Sequence, residues 1–326
     1  MILAGDIGGT NARLAFFDFL DGHFNLVAAS IFPSRDYSGL DKIVTEFVGS
    51  SNVHPETACF GVAGPVRDGK VETSNLPWIV ESQRLADELK IDKAVLINDL
   101  EATAWGIAAL AAKDVVTLNQ VKEPAIGNQA VIAAGTGLGQ AGLYWDGTQH
   151  HIFATEGGHT DFGPRNDLEV ELFCYLHKRF GHVSSERILS GPGLVNVYSF
   201  LRDTRRGSEQ QWLLDEMAHD DPAAAISRAG LEGKDALSEQ ALDIFVSVYG
   251  AEAGNLALKT KSTGGLYVAG GIAPKLLPKL SGPLFMNAFL EKGRMRPLME
   301  SMPVHIITND KLALLGAARC AVTPAA

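Results

Sequence analysis

The sequence predicts an α/β protein built from two lobes that are related by internal duplication. Its 326 residues are enough for about two domains. Strand-like and helix-like stretches alternate early in the chain, as they do in a mixed sheet covered by helices. A glycine-centred pattern from the start of the chain returns at residues 130–146, and no low-complexity linker separates the halves. We therefore expect two tightly joined lobes around a cleft.

The opening stretch "LAGDIGGTNARLAFFD", residues 3–18, contains a glycine turn between two apolar runs. A dinucleotide-binding loop would have the spacing G-x-G-x-x-G, and a P-loop would have G-x-x-x-x-G-K-[ST]. Neither spacing occurs at this point. The residues after Thr10 alternate in polarity, as a strand does. The pattern predicts a β-hairpin that bends at Gly8 and Gly9, with Asp6 at the end of its first strand.

Hydrophobic periodicity and turn residues predict the elements that surround this hairpin. Strands are expected at residues 2–4, 14–18, 27–32, 58–62 and 94–97. Helices are expected at residues 40–48, 82–89 and 100–112.

The second glycine pattern, "AVIAAGTGLGQAGLYWD", has the length and the order of parts of "ILAGDIGGTNARLAFFD", residues 2–18, which favours a duplication. Asn166 and Glu169 have the spacing of a near capping box, and Gly181 can end the same helix. An exposed loop is expected at 202–209. The stretch "GGLYVAGGIAP" is expected to form a buried strand, and its proline is expected to begin a helix. Four further helices are predicted: at 167–180, after the stretch Ser190-Gly-Pro, at 238–261 with one apolar face, and at 312–321. A further strand is predicted at 304–307.

Composition excludes several classes of protein. The hydrophobic content of 46% and charged content of 20% are those of an ordinary globular chain, whereas the net charge of −10 opposes nucleic acid as a partner. Cys59, Cys174 and Cys320 lie far apart, with no C-x-x-C pair for zinc or redox chemistry. There is no basic leader segment and no apolar run long enough to span a membrane. We expect a cytoplasmic protein that interacts with neither membranes nor nucleic acid.

The two glycine turns suggest a phosphate site. A turn without Cβ atoms lets a phosphate approach the backbone N–H groups closely. Two facing hairpins, one in each lobe, would hold a polyphosphate, and Asp6 could orient a Mg²⁺ ion through water. Each turn by itself could equally be an ordinary β-turn.

The stretch "AVLINDLEATAWG" places Asn98 and Asp99 between an apolar strand and a helix. Their side chains should project at the carboxyl end of a sheet, where α/β proteins bind ligands. Asp99 could be a helix N-cap, a general base, or both, because a carboxylate at a helix N-terminus stays ionised.

Two further stretches, "ATEGGHTDFGP" and "HVSSERILSGPG", contribute Glu156, His159 and Glu186. The glycines between Glu156 and His159 would break a helix, so the spacing is not that of a helical metal site. Polar groups flanked by glycine suit close hydrogen bonding to a small polyol. A histidine that stood apart from the two glutamates would be read as a surface or capping residue.

Six stretches in order resemble the bacterial glucokinase family that lacks a zinc motif, and the resemblance covers essentially the whole chain. It implies two ribonuclease-H-like lobes in the superfold of actin, sugar kinases and heat-shock chaperones, with ATP in a central cleft. The implied lobes are 1–110 with about 309–326, and 111–308. The stretches are "GDIGGTNAR", "INDLEATAWG", "AAGTGLGQA", "EGGHTDFGP", "SSERILSGPGLVNVY" and "GGLYVAGGIAP".

The resemblance also implies a role for each site residue in ATP-dependent phosphorylation of glucose at its C6 hydroxyl. Asp99 would be the base that takes the proton from that hydroxyl, and Gly270 and Gly271 would lie against the adenosine. The ATP phosphates would contact the two turns, through Gly5, Asp6, Ile7, Gly8, Gly9, Thr10 and Asn11 and through Gly135, Thr136 and Gly137. The glucose hydroxyls would be held by Asn98, Asp99, Gly137, Glu156, His159 and Glu186.

Related ROK kinases carry a cysteine-rich zinc motif after the sugar-binding histidine. Here only Cys174 lies between His159 and Glu186, so we expect Mg²⁺ with ATP and no structural zinc. The family further suggests a homodimer.

Three other functions share parts of this pattern. A kinase for another hexose or an amino-sugar would have the same motifs. A ROK-type repressor would carry a DNA-binding segment before the first hairpin, but here the first strand is expected at residue 2. A chaperone or filament ATPase of the same superfold would have no use for the Glu-Gly-Gly-His segment.

Overall fold

The structure is a computed structural model, and it describes residues 1–51, 53–73, 76–122 and 125–323. The chain forms two compact units. The first unit comprises Met1–Asp114 and Asn309–Ala326, and the second comprises Val115–Thr308.

The first unit contains eight described strands and four described α-helices. Its strands are β1 (Ile2–Ile7), β2 (Asn11–Leu20), β3 (His23–Pro33), β4 (Thr57–Val62), β5 (Val66–Arg67), β6 (Lys70–Glu72), β7 (Ile79–Glu81) and β8 (Ala94–Asn98). Its helices are α1 (Leu40–Ser51), α2 (Ser82–Leu89), α3 (Asp99–Gly106) and, from the end of the chain, α12 (Leu312–Val322).

The main sheet of the first unit has the strand order β3-β2-β1-β4-β8. The three strands β1 to β3 are antiparallel, and β4 and β8 continue the sheet in parallel with β1. Alternate residues of β1 enter different cores, as strand geometry requires. Leu3 and Ile7 join the core that includes Phe47 of α1, while Ile2 and Ala4 join the core that includes Ala317 of α12. Both faces of the sheet are therefore covered.

The second unit contains six described strands and eight described α-helices. Its strands are β9 (Val115–Thr117), β10 (Gln129–Ala134), β11 (Leu138–Trp145), β12 (His150–Thr155), β13 (Gly265–Ala269) and β14 (Val304–Ile307). Its helices are α4 (Asp167–Phe180), α5 (Gly191–Asp203), α6 (Gln211–His219), α7 (Pro222–Leu231), α8 (Ala236–Thr260), α9 (Leu277–Leu280), α10 (Pro283–Leu290) and α11 (Arg296–Glu300).

The sheet of the second unit has the order β12-β11-β10-β13-β14-β9, so its first five positions repeat the arrangement of the first unit. The hairpins at the start of the two units differ in one respect. Ile7 pairs with Ala12, whereas Ala134 pairs with Leu138, which makes the second turn one residue shorter. The two glycine stretches, although equal in length, are therefore not equivalent residue by residue.

Helix α8 is the centre of the second unit. The sequence predicted one apolar face, but α8 is buried on most sides because it packs against α5, α7, α10 and β10. Gly250 allows α10 to approach closely, since a Cβ there would overlap the backbone of Phe285. Phe245 and Phe285 each meet the ring of Tyr249 edge-on.

Several element predictions are confirmed to the residue: α2, α4 and β14 have the expected bounds. Asn166 caps α4 by accepting the N–H of Glu169, and Gly181 ends that helix. Strand β1 continues through Asp6 to Ile7 rather than ending at residue 4.

Other predicted boundaries are also wrong. Helix α3 ends at Gly106 and tightens into a 3₁₀ turn over Ile107–Ala109, a common helix ending, instead of continuing to residue 112. Helix α5 extends through Asp203 into the expected loop. The proline of "GGIAP" does not begin a helix; α9 begins at Leu277 and has Pro278 in its first turn. Among the described residues, no helix combines the length and apolarity that a membrane crossing would need.

Glycine determines how closely α12 packs on α3 in the first unit. Gly316 is buried, and a Cβ on it would overlap the carbonyl oxygen of Ala102 and the amide nitrogen of Gly106. We expect Gly316→Ala to lower the free energy of unfolding by about 1–3 kcal/mol, the usual cost of overpacking a core. Urea-induced unfolding measures this change.

A matched control comes from Gly49, which is exposed in α1 and has no atom near the position of a Cβ. The same change there should raise the free energy of unfolding by about 0.5–1 kcal/mol, because alanine favours a helix more than glycine does. Equal effects of the two substitutions would contradict the packing argument.

Candidate active site

In the first unit, the carboxyl ends of β1, β4 and β8 bring Asp6, Gly61, Asn98 and Asp99 to one edge of the sheet. Asp6 of β1 pairs with Gly61 of β4, and the next residue of β4, Val62, pairs with Asn98 of β8. Gly61 allows α3 to approach the sheet, because a Cβ there would overlap that of Ala102 and lie 3.5 Å from the Asp99 Cα. The sequence did not single out Gly61, although a glycine at a strand end was a signal of close approach.

Asn98 is the N-cap of α3. Its Oδ1 accepts the N–H of Leu100 at 2.8 Å, and its own N–H donates to Glu101 Oε2 at 2.9 Å, which completes a capping box. Its Nδ2 donates to the carbonyl of Gly64 at 3.2 Å. Asp99 is thus the first helical residue and not the cap, and its Oδ1 also accepts the Leu100 N–H, at 2.9 Å.

Asp6 lies beside a cation. A guanidinium nitrogen of Arg13, on the paired strand β2, is 3.8 Å from an Asp6 carboxylate oxygen. Arg13 also donates to the carbonyl of Asp310 at 3.2 Å. Burial raises the pKa of the Asp6 carboxyl group, and the charge of Arg13 opposes that shift. The side chain keeps 24% of its surface exposed, so a ligand can still reach it.

The first glycine turn is held from outside the hairpin by Ser34. Gly8 N–H donates to Asn11 O at 3.0 Å within the turn, and Ser34 Oγ donates to Gly8 O at 2.9 Å. Ser34 N–H donates to Thr10 O at 2.9 Å. Ser34 is fully buried, and sequence patterns do not indicate it because its partners are backbone atoms far along the chain.

The second glycine turn, in the second unit, is held at both ends. Gly135 N–H donates to Gly137 O at 2.9 Å, and Gly191 N–H, at the start of α5, donates to Gly135 O at 2.8 Å. Leu138 N–H donates to Glu186 Oε2 at 2.9 Å. A Cβ on Gly137 would overlap the Glu186 carboxylate, so this glycine admits that side chain.

The structure brings Glu156, His159 and Glu186 into one neighbourhood of the second unit. Glu156 and His159 flank a 3₁₀ turn, Gly157–His159, in which His159 N–H donates to Glu156 O at 3.0 Å. The following residues pair with the segment before Glu186: Ser185 N–H donates to Thr160 O at 3.0 Å. Within the described ranges, no hydrogen bond or ion pair involves the side chains of Glu156 or His159, and both are exposed. The side chains of Glu156 and His159 are therefore free to bind a ligand.

The two glycines between Glu156 and His159 have a packing role. A Cβ on Gly158 would overlap the carbonyl of Leu138, and one on Gly157 would overlap the side chain of Gln140. Because these two residues lack a Cβ, the segment packs closely against β11, next to the second turn.

Gly270 ends β13 beside the same turn. Its φ of +85° favours glycine, and a Cβ would overlap the backbone of Ala134. Gly271, in contrast, has no atom within 4 Å of the position of a Cβ. Gly135 and Gly270 therefore mark the ends of two neighbouring parallel strands, β10 and β13.

Metal ligands are sparse. Among the described residues, no group of three or more histidine, cysteine, aspartate or glutamate side chains could hold a metal ion. The expectation that the chain binds no structural zinc remains a prediction.

Comparisons with known proteins show the family of this chain. The sequence model of the glucokinase family matches residues 3–324. A glucokinase of Trichormus variabilis is 45% identical, with 98% of each chain covered. The chain belongs to the glucokinase family. The enzyme is therefore a sugar kinase, and the resemblance inferred from the sequence motifs is confirmed.

Solved structures confirm the fold class. The crystal structure of a glucokinase from an Antarctic psychrotroph superposes with a TM-score of 0.83 at 32% identity, with 98% of each chain covered. A ROK family glucokinase from Streptomyces griseus has a TM-score of 0.63 at 22% identity, with 98% of each chain covered. The α/β fold is that of the actin-like ATPases.

Proposed function

We propose that this chain transfers the γ-phosphoryl group of ATP to the C6 hydroxyl of glucose. The observation that supports the proposal most directly is the neighbourhood of Glu156, His159 and Glu186 beside the Gly135–Gly137 turn. Glu186, which is assigned to the sugar, also contacts the proposed phosphate-binding turn, because its carboxylate accepts the N–H of Leu138, the residue after Gly137. A kinase must hold its acceptor and its phosphoryl donor at adjacent positions.

Asp99 is the proposed general base. It stands at the carboxyl end of β8, in the first turn of α3, where the helix N-terminus favours a carboxylate. In this role, Asp99 takes the proton from the C6 hydroxyl as that oxygen attacks the γ-phosphorus, while the bond to the β-phosphate oxygen breaks. Asn98, whose side chain is already fixed by the cap, donates to or accepts from a neighbouring sugar hydroxyl.

The proposed phosphate contacts are the backbone groups of the two turns, Gly5 to Asn11 and Gly135 to Gly137, with the adenosine against Gly270 and Gly271. Mg²⁺ enters with ATP as part of the substrate. It prefers one or two carboxylates together with phosphate oxygens, and the partly exposed Asp6 fits that requirement through an intervening water. When bound, the ion neutralises charge that develops on the transferred group.

Glucose recognition is assigned to Asn98, Asp99, Gly137, Glu156, His159 and Glu186. The carboxylates of Glu156 and Glu186 accept hydrogen bonds from hydroxyls, and His159 can donate or accept. A site built this way discriminates against a sugar that lacks one of the hydroxyls, because the polar group assigned to that hydroxyl then loses its hydrogen-bond partner.

Asp99→Asn should lower kcat for glucose phosphorylation by about 10²–10⁴, the usual contribution of a general base. The KM for ATP should change little, since Asp99 is assigned no nucleotide contact. Glucose 6-phosphate and ADP formation measure both quantities. Asp92→Asn, on an exposed loop of the same unit, is the matched control. Near-normal turnover of the Asp99 variant would remove this residue from the mechanism.

Glu156→Gln and His159→Ala should each raise the KM for glucose about tenfold or more, because each change removes a hydrogen bond to a hydroxyl. The KM for ATP should stay within about twofold, since neither side chain is assigned to the nucleotide. His219→Ala, an exposed histidine of α6, serves as the control. A variant with weaker ATP binding and unchanged glucose KM would assign this segment to the nucleotide site instead.

Gly137→Ala should raise the KM for glucose about ten- to a hundredfold, because the new methyl group displaces the Glu186 carboxylate from the Leu138 N–H. Gly163→Ala is the matched control: this exposed glycine of the same unit has open space where a Cβ would lie. If both variants bind glucose like the parent enzyme, Glu186 does not hold the sugar.

A further inference from the structure

The hydroxyl group of Tyr249 lies between two strands of the second unit. Tyr249 is on α8 and is fully buried. Its Oη accepts the N–H of Ala134 at 3.1 Å and lies 3.4 Å from Ile132 O and 3.5 Å from Ala269 O. A side chain from the central helix therefore lies within hydrogen-bonding distance of the backbones of both β10 and β13.

These backbone groups belong to the point where the two parallel strands separate. Pairing between β10 and β13 runs from Gln129 with Gly265 to Ala133 with Ala269. At the next residue Gly270 turns with a φ of +85°, so Ala134 N–H donates to the tyrosine and not to a β13 carbonyl, while Ala134 O accepts the N–H of Ile272 at 3.3 Å. A buried amide without a partner is unfavourable, and the tyrosine hydroxyl supplies the missing acceptor.

The hydroxyl can also donate at this position. Burial raises the pKa of the Tyr249 phenol, so the group keeps its proton at neutral pH. The carbonyls of Ile132 and Ala269 are the two acceptors within reach. The hydroxyl has one proton to donate, and when it donates to Ala269 O it connects an amide of β10 with a carbonyl of β13, as a bridging water would.

We propose that Tyr249 is a positioning residue for the nucleotide. It sets the separation at which β10 presents the Gly135–Gly137 turn and β13 presents the Gly270–Gly271 turn. This inference rests on the proposed function, which assigns the ATP phosphates to the first of these turns and the adenosine to the second. The hydroxyl touches neither ligand and acts only through Ala134 and Ala269.

The surroundings make Tyr249→Phe a clean test. The ring packs against Phe245 and Phe285, with centroid distances of 5.9 and 5.8 Å, and these contacts do not involve the hydroxyl. Phenylalanine keeps them and removes one oxygen atom. Loss of the bridge frees Ala134 N–H, and the two turns can then change their separation.

Tyr198 provides a matched control in the same unit. It is also fully buried, but its hydroxyl has no hydrogen-bond partner among the described residues. Tyr198→Phe therefore removes the same atom from a core position without breaking a backbone bridge.

We expect Tyr249→Phe to raise the KM for ATP and the dissociation constant for a non-hydrolysable ATP analogue about tenfold, the effect of one lost buried hydrogen bond. The KM for glucose should rise less, because Gly137 is the one residue assigned to the sugar that lies in these turns. Tyr198→Phe should leave all three constants unchanged. An unchanged nucleotide affinity of the Tyr249 variant, or an equal loss of glucose and nucleotide affinity, would overturn the inference.

A second measurement does not depend on any variant. In hydrogen–deuterium exchange of the parent enzyme, the ATP analogue should slow exchange of the amides at 135–137 and at 270–272 together. Protection of only one segment would show that the two turns are not coupled and would overturn the inference. Failure of the parent enzyme to phosphorylate glucose from ATP would instead overturn the proposed function, so the two failures are distinguishable.

Discussion

The requirement that every buried backbone group keep a hydrogen-bond partner shapes the site in both units. Functional turns begin where strands stop pairing, and each strand end leaves amides or carbonyls to be satisfied. In the first unit Ser34 bonds to the Gly8 carbonyl and Asn98 caps α3. In the second unit Glu186 accepts the Leu138 N–H and Tyr249 accepts the Ala134 N–H. The positions of the turns follow from these four bonds.

Two of these side chains have a second proposed task. Asn98 and Glu186 satisfy backbone groups and are also assigned to the sugar hydroxyls. A side chain that is already fixed by the backbone loses little further freedom when a ligand binds, which favours affinity and precise alignment. The same arrangement means that replacing either residue changes local stability along with binding, so stability and KM have to be measured together for these positions.

Much of the fold could be predicted from the sequence because the signals were local. Helix α4 has a cap, an apolar period and a terminating glycine, and its bounds were predicted to the residue. Strand β12 was missed because half of its residues "HHIFAT" are exposed and none is buried, so no buried alternation marks it. The family was recognised from ordered motifs, and the segments assigned to the sugar stand out because their polar residues lie between glycines.

Tyr249 could not be predicted in the same way. An apolar helical period explains a tyrosine in α8 completely, and its backbone partner Ala134 lies 115 residues away in the chain. Ser34 was missed for the same reason, because its role depends on a turn to which no sequence pattern links it. Contacts between a side chain and distant backbone atoms leave no pattern of residue spacing in the sequence. They account for most of the features of the site that could not be predicted.

Two groups of glycines in the second unit lack a side chain for different physical reasons. Gly137, Gly158 and Gly270 leave no room for a Cβ, so the packing of the chain itself requires them. Gly135 and Gly271 have neither a positive φ nor a neighbouring described atom within 4 Å of a Cβ position. Backbone conformation and packing both leave these two positions open to alanine. The proposed polyphosphate at Gly135 and nucleoside at Gly271 would supply a reason for glycine at both, because each would approach the main chain closely.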